Sequence, residues 1–196
     1  MAKDGADMAA GDIYLKHRST LKQASYDSAK KEYMVEDEAI SIYDYDDVMG
    51  EYTSREQLQY TPYSNDALYI DDDRITFIEF KNGKVEPRNV IQKAYDSLLV
   101  LFDHDMGLEW RRADFRGNIS FSRENIDLIL VWNNPNDDPK TVDRERINNR
   151  FRAKGKFGLS DLKRYLYKDV HVMSKSEFQH EFIEQVQLRR EAQECN

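Results

Sequence analysis

Two short β-prone runs, Ala67 to Ile70 and Ile75 to Lys81, are separated only by Asp71, Asp72, Asp73 and Arg74, a turn of hairpin length and composition. Segments this close pair antiparallel, and the turn fixes their register. Ile70 then faces Ile75, Leu68 faces Phe77 and Asp66 faces Glu79. Because side chains alternate along a strand, the four apolar residues share one face, Asp66 and Glu79 meet at its end, and Lys81 lies on the same face. Directly opposed Cβ atoms are about 4.5 to 5.5 Å apart, and like charges so placed destabilise a sheet unless something offsets them.

Around this hairpin the pattern predicts an α/β domain. Pro87 opens a helix, and Ile91, Ala94, Tyr95, Leu98, Leu101 and Phe102 follow at spacings of three and four, an amphipathic helix to about Phe102. Ile126 to Trp132 is an almost continuous apolar run, expected as a central strand covered on both faces. A loop from Asn133 to Pro139, a helix from Val142 to about Arg152, a short helix from Ser160 to Tyr167 and a strand from Val170 to Met173 come next. Ser174 and Glu177 have the spacing of a capping box, and Phe178, Phe182 and Val186 mark one stripe of a final helix. Upstream, a helix is expected near Leu21 to Glu38, and the aromatic residues at 43 to 63 are read as core cover. Residues 1–12 are expected to be a disordered N-terminus and residues 13–196 a single domain, since two independent cores in 196 residues would both be small.

No apolar run approaches the length of a bilayer span, residues 1–12 lack the layout of a secretory leader, and a lone Cys195 makes no intrachain disulfide. The expectation is a cytoplasmic protein with no membrane partner. A net charge of -8 argues against general affinity for nucleic acid, but the charge is unevenly spread. Between Glu32 and Asp73 thirteen acidic residues stand against Arg55 alone, whereas Lys140 to Lys168 holds ten basic residues against three acids. Within that basic segment Arg144, Arg146, Arg150, Arg152, Lys154 and Lys156 form either a solvated helix face or the edge of a nucleic-acid groove.

The opposed acids suggest a chemistry. Hard cations such as Mg²⁺ or Mn²⁺ bind carboxylate and carbonyl oxygens, and Asp66, Glu79 and the backbone carbonyl of Phe80 offer an open set of them. A bound metal activates water and stabilises charge on a phosphoryl oxygen, while Lys81 is placed to orient the water or hold the phosphate. The plainer alternative is an exposed polar strand end. An acid, any residue, then Lys also occurs at Asp138 and Asp161, but only Glu79 lies on a strand facing another acid.

Asp66, twelve residues, then Glu79-Phe80-Lys81, with a strand before and an amphipathic helix after, resembles the PD-(D/E)XK nuclease superfamily over roughly residues 60–135. Asn65 stands where the name-giving motif has proline. The resemblance implies a restriction-endonuclease-like mixed central sheet of about four or five strands flanked by helices, Asp66 and Glu79 as metal ligands, and Lys81 as catalytic lysine. It also implies an upstream acid, for which Glu36 or Glu38 is available, and a polar group from the following helix, Gln92 or Lys93. The expected activity is metal-dependent hydrolysis of phosphodiester bonds, in DNA before RNA. Two alternatives stay open: a catalytically silent binding module that meets a protein partner or a second copy of itself, and a toxin or phage-defence nuclease restrained by a partner. The four histidines lack ligand spacing, and no phosphate-binding glycine loop or nucleophile elbow is present in the sequence.

Overall fold

The structure is a computed structural model and describes residues 13–72, 74–103, 114–133, 155 and 157–194. Among these are β1 (Arg18–Thr20), β2 (Tyr26–Asp27), β3 (Glu32–Tyr33), β4 (Ser41–Asp44), β5 (Ala67–Ile70), β6 (Ile75–Asn82), β7 (Ile126–Asn133) and β8 (Asp169–Met173). Six strands form one sheet in the order β1-β4-β5-β6-β7-β8, and β2 with β3 makes a separate pair. Pairing is antiparallel from β1 to β6 and parallel from β6 to β8. The fold is therefore mixed α/β. Its sheet has six strands, not four or five, because Arg18–Thr20 and Ser41–Asp44 extend the antiparallel side.

The β5–β6 register is the one the turn requires, with Leu68 opposite Phe77 and Ile70 opposite Ile75. Alternation sends residues of these strands into two cores. Leu68, Ile70, Ile75, Phe77, Leu128 and Leu130 join a core with the Tyr45–Arg55, Pro87–Asp103 and Leu159–Tyr165 helices. Ala67, Tyr69, Ile78, Phe80, Ile129 and Val131 face the opposite core under the C-terminal helix. With both faces covered, β5 and β7 carry no polar-apolar alternation, the expected signature of a buried strand.

The C-terminal element runs as Lys175–Phe178, a π turn over Gln179–Ile183, and Glu184–Glu194. Ser174 and Glu177 form the capping box at its start, and Phe178 and Phe182 stack with centroids 4.9 Å apart over the sheet. The long helix starts after Gly83, whose φ of +111° turns the chain away from β6 while the Trp132 indole donates to its carbonyl at 2.6 Å.

One expected element is replaced. Leu21 to Glu38 is not a helix; only Leu21–Ala24 is helical, followed by β2 and β3. The cause is local. Asp27 Oδ1 accepts from the amides of Ala29 and Lys30, Lys31 takes φ 57°, and the Tyr26 and Tyr33 rings pack 4.9 Å apart across the resulting hairpin. Just beyond it, β4 is covered on both faces, burying Tyr43 in one core and Ile42 in the other. The expected helix from Val142 to Arg152, the loop after Asn133, the 1–12 terminus and Cys195 lie outside the described residues.

Phe77 ties the long helix to the sheet. Its ring lies 5.1 Å from Tyr45 and 6.4 Å from Tyr167, whose hydroxyls donate to the Ser97 and Ala94 carbonyls of that helix at 2.9 and 2.6 Å. Phe77→Ala is expected to cost about 3 to 5 kcal/mol in urea unfolding, since it leaves a cavity between two anchoring tyrosines. A loss under about 1 kcal/mol contradicts this packing.

Candidate active site

Asp66 closes the segment leading into β5. Its carbonyl accepts from Tyr45 N at 3.1 Å, and the preceding Asn65 N donates to Ser97 Oγ at 2.8 Å, so the backbone is pinned between two helices. Asp66 Oδ2 accepts from Phe80 N at 2.6 Å and Oδ1 from Lys93 Nζ at 3.1 Å. Glu79, on β6, is completely buried and its Oε2 accepts from Lys93 Nζ at 2.9 Å. Glu79 Oε1 lies 2.8 Å from both Lys81 Nζ and Lys93 Nζ, at ion-pair distance but without a directed hydrogen bond. The acids predicted to oppose each other thus converge on one ammonium group, with Lys81 at their outer edge.

The electrostatics follow from burial. Loss of solvent, then the charge of Asp66, pushes the Glu79 carboxyl up to about 7 against the pull of Lys93 and Lys81. Burial opposes the charge on Lys93, yet Asp66 and Glu79 outweigh it and hold the ammonium well above its ordinary range. Asp46 stands at the solvent edge of the group. The residue keeps an exposed flank, but its carboxylate accepts from Ser64 Oγ, and it is raised by local desolvation first and by Asp66 next, with Lys93 and Lys81 opposing.

Four of the residues singled out from sequence, Asp66, Glu79, Lys81 and Lys93, are together. Gln92 is not with them: one residue from Lys93 it points off the sheet, donating to Asp96 Oδ1 at 2.7 Å on the exposed side of the helix. Glu36 and Glu38 are also elsewhere. They are exposed and hold Lys22 at 3.2 and 2.7 Å beside the opposite core, because they lie in the irregular segment after the β2–β3 hairpin and not on a helix crossing the site. The acid that approaches from an upstream helix is Asp46, missed in the sequence. Its signal was Asp44, which caps that helix by accepting from Asp47 N at 3.2 Å, ahead of the buried stripe Tyr45, Val48 and Met49.

Tyr43 and Tyr45 cover core as expected, but Tyr60 and Tyr63 do not: they are 78% and 53% exposed on the loop that leads to Asp66. The basic residues Arg144, Arg146, Arg150, Arg152, Lys154 and Lys156 lie outside the described residues.

Comparisons with family models, curated proteins and solved structures give no match to this chain.

The donor set can be judged against a divalent cation on its own chemistry. Among the described residues no group of three or more His, Cys, Asp or Glu side chains is arranged to hold a metal. Two carboxylates do converge, and Phe80, whose amide points to Asp66, turns its carbonyl toward the same side of β6. With Glu79 fully buried beside a partly buried Asp66, and Glu79 Oε1 held only at ion-pair distance by two ammonium groups, the oxygens form a partial donor set that is compatible with magnesium or manganese where waters complete the sphere.

Glu79 also makes stability depend on pH. Its carboxyl titrates near 4.5 when unperturbed and about 7 when folded, so the folded chain binds a proton the unfolded chain releases between those values. That contribution is full below about pH 4.5 and is lost as pH rises through 7, up to about 3 kcal/mol. Glu79→Gln, which cannot ionise, should therefore gain melting temperature over the native protein more at pH 8 than at pH 5. Equal differences at the two pH values contradict the assignment.

Proposed function

We propose that this chain is a metal-dependent nuclease that hydrolyses phosphodiester bonds, DNA before RNA, with the acid pair Asp66 and Glu79 at its centre. The observation that carries the proposal is the convergence of these two carboxylates on one point, Glu79 fully buried, with Lys81 beside them at the solvent edge. The restriction-endonuclease-like reading of the sheet belongs to the same proposal. It is supported by acids at the same end of two adjacent antiparallel strands, a long helix after the second, and a parallel strand, β7, after that helix.

Asp66, Glu79 and the Phe80 carbonyl would hold Mg²⁺ or Mn²⁺, and the bound ion supplies an activated water and a Lewis acid for the phosphoryl oxygens. The protein does the rest. Lys81, 29% exposed at the side chain, presents its ammonium where a phosphate or the attacking water arrives, while Glu79 limits how far it can swing. The Phe80 amide fixes Asp66 by one oxygen and leaves the other to face the cluster. Asp46, hydrogen-bonded by Ser64, keeps a negative charge at the edge, suited to hold a water by hydrogen bonding. Tyr60 and Tyr63 offer exposed ring faces at the loop beside Asp66, on which unpaired bases can stack. Hydrolysis then forms the bond from water oxygen to phosphorus, breaks the phosphorus bond to the leaving oxygen, and moves one proton from the water to that oxygen.

A catalytically silent binding module is the second reading, and one observation favours it: Lys93 and Lys81 already offset the charge of the acid pair. No helix of the described residues is long and apolar enough to cross a membrane, which fits either reading.

Incubating the protein with labelled single- and double-stranded DNA and RNA, with and without Mg²⁺ or Mn²⁺, tests the choice. Cleavage that needs the metal is expected. Lys81→Ala should remain folded, since Lys93 still pairs with Glu79, and lose about 10²-fold or more in rate. Native protein inert with every metal and substrate favours the binding module, and full activity in Lys81→Ala removes that residue from the mechanism.

A further inference from the structure

Lys93 is the one residue of the cluster that touches both acids. Its ammonium lies 3.1 Å from Asp66 Oδ1 and 2.8 and 2.9 Å from the two oxygens of Glu79. Its side chain is 15% exposed, and the Pro87–Asp103 helix that carries it is fixed to the sheet through Val90, Ala94 and Leu98 on the same side. The group has the position, the ligands and the sign of charge of a cation bridging two carboxylates. A divalent ion bonded to oxygens of Asp66 and Glu79 at about 2.0 to 2.6 Å would share those oxygens with the ammonium, and two cations cannot stand that close without strong repulsion.

We propose that Lys93 is an internal counter-ion which holds Asp66 and Glu79 in place before metal binds and gives up that position when a divalent cation takes it. The inference rests on the metal-site reading above and adds a role that reading does not contain. Two consequences follow. Metal affinity is set by an exchange, so the site binds its cation more weakly than its carboxylates alone would, because a resident charge must leave first. The displaced ammonium is then free beside the scissile phosphodiester, where an oxygen of the phosphate group can take the place of the carboxylates as its partner.

Lys81 is not equivalent. It reaches Glu79 alone, from the edge, and makes no bridge to Asp66.

The test is calorimetric titration of Mn²⁺ into the native protein, Lys93→Met and Lys81→Met, with no nucleic acid present. Methionine keeps most of the stem and removes the charge. Lys93→Met should bind Mn²⁺ at least tenfold more tightly than the native protein, and Lys81→Met should gain less. Native protein and Lys93→Met binding with equal affinity, or weaker binding by the variant, overturns the counter-ion role while leaving the metal site standing. No Mn²⁺ binding by any of the three removes the metal site, and the inference with it. If Lys93→Met does not fold, the ε-methylene resonance of Lys93 in the native protein, assigned through Lys93→Arg, gives the same answer. It should shift on saturation with Mg²⁺ while that of Lys30 stays, and an unmoved Lys93 signal contradicts the exchange.

Discussion

A carboxylate with no exposed surface is costly, and Glu79 is one, lying beside a second acid beneath a helix. Removing an ion from water costs several kcal/mol even after the protein relaxes, and a neighbouring like charge adds to it. What offsets the cost is Lys93, which reaches down from the Pro87–Asp103 helix to both acids, with Lys81 closing the outer side. Much of the surrounding architecture serves this arrangement. The helix must sit at one height and rotation over β6, and it is held there by the Tyr45 and Tyr167 hydroxyls, whose rings both pack edge-on with Phe77.

Such a cluster is poor economy as a purely structural device. Replacing a buried ion group by apolar side chains of similar size is often neutral or stabilising, so a chain that buries Glu79 between β6 and a helix gains little stability from its charge. The raised titration of Glu79 says the same: the folded protein favours its neutral form. Perturbed, mutually facing ionisable groups of this kind are found above all where charge is put to use. They lie where β5 begins and β6 nears its end, next to a loop on which Tyr60 and Tyr63 are exposed.

Most of this site was legible because a tight hairpin leaves little freedom. Once Asp71 to Arg74 is read as the turn, Asp66 must oppose Glu79, and parity puts Lys81 on the same face. Helical spacing likewise puts Lys93 one turn from the buried Val90 and Ser97 on the sheet side, whereas Gln92, an equal candidate in the sequence, turns to Asp96. What was not legible depended on contacts distant in sequence. Glu36 and Glu38 sit on Lys22, away from the acid pair, because an Asx turn at Asp27 and a pair of tyrosines outweighed a helical pattern over Leu21 to Glu38. The two extra strands were hidden because β4, covered on both faces, shows no alternation to read.

The central claim is that Asp66 and Glu79 share one divalent ion. Crystals soaked in Mn²⁺ and measured near the manganese absorption edge test it most directly. The account predicts a single strong anomalous peak within about 2.0 to 2.6 Å of an oxygen from each of the two carboxylates. Manganese bound elsewhere at saturating concentration, or absent, with Lys93 still spanning the two acids, would contradict it.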